Sequence, residues 1–75
     1  MPVHFFHCTN GTEIILDRQG RRARSERQVE PLALQVAGEL MQSAPRRIDW
    51  ADWLVSVQDR RGSMVAVVPF PAGQG

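Results

Sequence analysis

The chain has no lysine and no tyrosine, and it has one cysteine, Cys8. A lone thiol excludes an intramolecular disulfide, so packing must hold the fold without a covalent staple. No apolar run approaches the roughly 18 residues of a membrane-spanning helix, and no charged start followed by an apolar stretch marks a leader. These absences predict a soluble, cytoplasmic protein with no membrane partner. Without lysine, arginine supplies all nine basic charges. The forked guanidinium suits phosphate or carboxylate, but the arginine-rich coding of a GC-rich bacterial genome accounts for the same bias. Against eight acidic residues the net charge is +1, which by itself implies no polyanionic partner.

What is present fits one small globular domain. Seventy-five residues that are 43% hydrophobic can bury a core, at the small end of what folds alone. The opening VHFFHC is an aromatic run, and Asn10-Gly11 after it signals a turn. EIILD follows as a second strand, so residues 2–17 read as a β-hairpin. Gly20 ends it, and RRARSER reads as a polar connection. From Val29 the apolar residues Leu32, Ala33, Val36, Ala37, Leu40 and Met41 fall on one helical face. Ser25 and Gln28 suggest a capping box, yet Pro31 then lies past the first turn, where a proline kinks the helix. The alternative start is near Gln28, with Pro31 inside the first turn. Ala44-Pro45 ends the helix, and IDWADW links to a strand in which Trp53, Val55 and Val57 alternate with Leu54, Ser56 and Gln58. Asp59 to Gly62 makes a turn, SMVAVVPF is a fourth strand, and Pro69 confines its end to an edge or exit. The prediction is a single α+β domain over residues 1–70, β-β-α-β-β, followed by a frayed tail over 71–75. Its two β-hairpins form an antiparallel sheet with the helix packed on one face.

This layout has a consequence for function. One helix covers one face of a four-stranded sheet, yet the strands are apolar on both faces. A sheet with one wet face normally alternates cleanly. The uncovered face therefore predicts a partner, and a second copy is the simplest one. Candidate interface residues are Phe5, His7, Ile15, Trp50, Val65 and Val67. If the Trp50 linker and the termini fold over that face, no partner is needed.

Several chemistries can be weighed at named residues. His4 and His7 point to opposite faces of a strand, and His4 and Cys8, on one face, stand roughly 13 Å apart. One ion cannot reach both, so no metal site is expected. Cys8 has no base on its own face and reads as an inert buried thiol. His7, beside Phe5, is expected to tie its ring to a backbone carbonyl or a cross-strand partner. Asp49 and Asp52 could form an acid–base pair, but turn and capping roles are commoner for such residues. Pro2, if Met1 is removed, would present a secondary amine. The chain is similar to tautomerases with an N-terminal proline base only in that start and in a helix after a strand, and EIILD intervenes. No cofactor is expected. Arg18, Arg21, Arg22, Arg24 and Arg27 stand near a single glutamate, with Arg46-Arg47 and Arg60-Arg61 as further basic points. Such a footprint is the minimum for nucleic-acid affinity. It lacks any binding-module signature, and a solvated surface explains it as well.

MPVHFFH at the start, Asp17-Arg18-Gln19-Gly20, Asp49-Trp50 and Val68-Pro69-Phe70 together resemble a family of short bacterial proteins. These proteins are common in alpha-proteobacteria, are classed as a domain of unknown function, and typically open M-P-x-aromatic-F-F-H. The chain departs from that pattern at His4, where an aromatic is usual, and at Pro31, in place of an uninterrupted alanine-rich helix. The resemblance covers nearly the whole chain and implies a small α+β domain with no assigned activity. The function expected is a non-enzymatic interaction or self-association module. A nucleic-acid-binding domain is the alternative, and a Pro2 enzyme a remote third.

Overall fold

A computed structural model of the chain describes residues 2–44 and 47–71. Met1, Pro45, Arg46 and residues 72–75 lie outside these, and with them all but Pro71 of the expected tail, the proline stop of the helix and the fate of Met1.

Val3–Thr9 forms β1, the longest strand. Asn10 makes the turn that follows: its Oδ1 accepts the amides of Thr12 at 3.0 Å and Glu13 at 2.7 Å. The chain returns as β2, Ile14–Ile15, antiparallel to β1 with Cys8 opposite Ile15. The return path then loses contact with β1 and resumes as β3, Arg21–Arg22, opposite His4 and Val3. The expected polar connection thus contributes a fifth short strand. Ile15 to Arg21 is six steps where Cys8 to His4 is four, so two residues are looped out. An even insertion keeps the inside–outside alternation of side chains, which is why β2 and β3 can share one neighbour.

The α-helix α1 spans Val29–Ser43 after a 3-10 turn over Glu26–Gln28. Pro31 therefore sits in the first turn, where its missing N–H costs nothing, as the later of the two starts requires. Ser25 makes no side-chain cap bond. Gln28 instead accepts the amide of Arg24 through Oε1 at 3.0 Å. β4, Leu54–Gln58, and β5, Met64–Pro69, form the second hairpin. Asp59 closes their turn, its Oδ1 accepting the amides of Arg61 and Ser63. The sheet is antiparallel in the order β2-β1-β4-β5, with β3 also beside β1.

Phe6 and Cys8 on β1, Val55 and Val57 on β4, and Val68 on β5 face the helix and are buried. Val29, Ala33 and Ala37 meet them, the two alanines allowing the helix backbone to approach closely. Burying Val55 and Val57 completely stabilises the fold by about 1.5–3 kcal/mol each. Trp50, Trp53 and Phe70 close one end of the core. Trp50 stacks on Phe70 with centroids 5.4 Å apart and meets Trp53 edge-on at 5.2 Å. Among the described residues, no helix is long and apolar enough to cross a membrane.

Candidate interaction surfaces

The helix lies over β4 and β5, touches β1 less and does not reach β2. The sheet therefore has one face that the helix leaves wholly open. Register assigns Phe5, His7, Leu54, Ser56 and Val67 to that face, opposite in sense to the buried Phe6, Cys8, Val55 and Val68. A register shift near Val57/Gln58 sets Met64, rather than Val65, across from Gln58, so Met64 joins the open face. Ser56 confirms this by donating its hydroxyl to Met64 Sδ at 3.0 Å. Ile14, opposite Thr9, extends the face onto β2. Ile14, Met64 and Val67 are 59%, 57% and 51% exposed. No acidic residue belongs to the strand positions of this face, and Arg22, opposite Val3, lies at one corner.

His7 is anchored in this face. Its Nδ1 accepts the amide of Asp17 at 3.0 Å, so of the two expected partners the ring takes the one on the return segment beside β1, and in that bond it accepts rather than donates. The ring is thereby a donor at Nε2. Phe5 and His7 lie nearly parallel, with an interplanar angle of 12° and centroids 6.5 Å apart. The Asp17 carboxylate accepts the amides of Phe6, Gln19 and Gly20 at 2.9–3.1 Å. Burial pushes its carboxyl up, but those three amides outweigh burial and hold it below the usual carboxylate range.

The six residues singled out for an interface separate into two groups. Phe5, His7 and Val67 share the open face. Ile15 is paired with Cys8 and so turns to the helix side. Trp50 is half-buried in the aromatic stack, and Val65 lies at the β5 bulge beside a cleft with His4 and Glu26. His4 Nδ1 is buried there with no hydrogen-bond partner among the described residues.

The arginines of residues 18–27 do not gather on one surface. Arg21 and Arg22 take opposite faces, as strand neighbours must. Arg21 is drawn to the helix side by an ion pair with Glu39 at 2.6 Å, and its hydrogen bond holds the Glu39 carboxyl down. Arg18, Arg24 and Arg27 are exposed on the loop and the 3-10 turn. Asp49 accepts the amide of Ala51, a turn role. Pro2 is exposed, with its carbonyl accepting the amide of Ala23. Among the described residues, no group of three or more His, Cys, Asp or Glu side chains could hold a metal ion.

Sequence reasoning missed Met64 and Leu54 on the open face. The bulge hid Met64, because strict alternation sets it against Val65 and Val67. It also missed the Asp17 anchor, although Asp17 followed at three residues by Gly20 is a recognisable loop signal.

No curated protein and no solved structure shows significant similarity to the chain. A family model described as a domain of unknown function, DUF6894, matches residues 3–71. That span takes in all five strands and the helix, and the chain belongs to the DUF6894 family.

Proposed function

We propose that this domain is a non-enzymatic self-association module that pairs with a second copy through the open face of its sheet. The observation carrying this reading is the exposure of Ile14, Met64 and Val67 on one face whose described strand positions include no carboxylate. A two-fold pair presents the same patch from both copies, so the patch must tolerate itself. A face whose strand positions are mostly uncharged, with Arg22 at a corner, does so, because few like charges meet when two sheets pack about 10 Å apart. The free edge is a poorer contact. β5 is bulged at one end and ends in Pro69 at the other, and both features discourage strand addition. The cytoplasmic setting expected from the sequence is part of this proposal.

Sedimentation velocity and light scattering over a wide concentration range test it. The expected result is a species of twice the 8.4 kDa chain mass that dissociates on dilution. Val67→Glu should give a folded monomer, since it buries an unpaired charge in the pair and leaves the core untouched. A wild type that stays monomeric at every concentration overturns the proposal.

The Phe5–His7 pair favours a second reading on the same face. Two near-parallel rings on a central strand make a stacking platform for single-stranded bases. Arg22 stands at the neighbouring rung, and Arg60 and Arg61 follow in the turn after Gln58, which pairs with Phe5. Chemical-shift changes at Phe5, His7 and Arg22 on adding short DNA or RNA oligonucleotides, fading with salt, would support it. A silent titration would remove it.

A further inference from the structure

On the opposite side of the sheet, the offset of the helix leaves a strip uncovered above β1 and β2. Ile15 belongs to the helix-facing side by its pairing with Cys8, yet it is 45% exposed. Two grooves occupy this strip. One, of about 340 Å³, has Phe6 and Cys8 as its floor and Leu16, Val36 and Leu40 as its walls. The other, of about 490 Å³, runs between Ile14 and Ile48 to Trp50 and Trp53. They share Ile15, Leu40 and Ser43, so they form one trough along the C-terminal half of α1. Each is within the range of about 300–1,000 Å³ that holds small ligands.

The two ends of the trough differ in chemistry. The walls of the tryptophan end include one charged side chain, Glu13, and no basic one among the described residues. An indole face and a carboxylate both attract a cation, the first through its ring quadrupole and the second through its charge. At the other end Asp17 and Glu39 add negative charge, and the one base, Arg21, is engaged by Glu39. Among the described lining residues, an anionic head group has no free partner at either end.

We propose that this trough binds a small amphiphile with a cationic head. The ammonium group lies between Trp50 and Glu13, and the alkyl chain runs over Ile15 toward Phe6 and Cys8. The trough lies on the opposite side of the sheet from the open face and shares Ile14 with it at one end.

Trp50 and Trp53 are the only tryptophans, and the chain has no tyrosine, so intrinsic fluorescence arises at the tryptophan end of this trough and the core beneath it. The full chain would be titrated with dodecyltrimethylammonium below its micelle concentration. Dodecanoate and tetramethylammonium serve as separate arms, and amide NMR spectra follow each titration. The expected result is a saturable fluorescence change with the cationic amphiphile, about tenfold tighter than with the carboxylate of the same chain length. Amide shifts should be confined to Phe6, Cys8, Arg21 and residues 13–17 and 36–53. Glu13→Gln, at an exposed position, should weaken binding about threefold. Leu16→Glu, also exposed, should weaken it further by placing a charge in the path of the chain. Equal affinity for dodecanoate, binding indifferent to both substitutions, or shifts centred on Phe5, Met64 and Val67 would each overturn the proposal.

Discussion

The Asp17 amide donates to His7 Nδ1 at 3.0 Å while the Asp17 carboxylate accepts the amide of Phe6, the residue before His7, at 3.1 Å. This reciprocal pair spans the gap between β2 and β3. It satisfies an amide of β1 that the broken return strand leaves without a ladder partner. The loop is therefore held to the sheet by side chains where backbone pairing fails.

Removing either half of the pair should cost stability. Asp17→Ala leaves the Phe6 and Gly20 amides without their acceptor, a loss of about 1–3 kcal/mol in a urea melt. His7→Leu should cost a similar amount. His7→Asn should restore most of it, because its Oδ1 stands as far from the backbone as the ring Nδ1 and accepts the same amide. Equal losses for Leu and Asn would show that the ring serves packing alone.

The same carboxylate sets an acid limit. Its folded-state pKa is depressed, so its contribution is fully present above the unfolded value of about 3.9 and is lost as pH falls through the lower folded value. The stability difference between wild type and Asp17→Asn should be flat above about pH 5 and shrink below about pH 4. A difference that grows on acidification would contradict this.

Gly20 follows the anchor at a φ of 77°. A Cβ there would lie 2.6 Å from Val3 Cγ1 and 3.1 Å from the His4 carbonyl oxygen. Gly20→Ala combines left-handed backbone strain with a clash against the Val3 side chain and a tight approach to the His4 carbonyl, and should destabilise the domain by about 2–4 kcal/mol. Thermal melts would read this directly, and a neutral substitution would mean that the loop relaxes away from β1.

Cys8 should be chemically silent in the folded state. Burial, and after it the Asp17 charge, pushes its thiol up to about 11. At pH 8 the thiolate is scarce, so reaction with a disulfide reagent should be at least about 100-fold slower than for a free thiol. Urea should release full reactivity. Rapid labelling without denaturant would show that the thiol at the floor of the groove is reached in the folded state.

Much of this fold is legible in local pattern. The alternation through Trp53, Val55 and Val57, and the helical spacing from Val29 to Met41, each repeat over enough residues to name the element and its buried side. Pro31 stays ambiguous in the sequence because both helix starts satisfy local rules. The start chosen is the one in which the missing N–H has no intrahelical partner to lose. β3 is illegible because Arg21 and Arg22 have no strand signature, and β1 recruits them by offering an unpaired edge.

The candidate surfaces divide in the same way. Two apolar sheet faces and one helix are enough, from the sequence alone, to require an uncovered face, since one amphipathic stripe covers one side. Which side chains share that face was decided by tertiary structure. The one-residue bulge at Val65 carries Met64 to the open side, because side-chain direction in a strand has a period of two. The trough was decided in the same way. Nothing local positions a helix sideways over its sheet, and packing Ala33 and Ala37 against β4 and β5 is what leaves Ile15 uncovered.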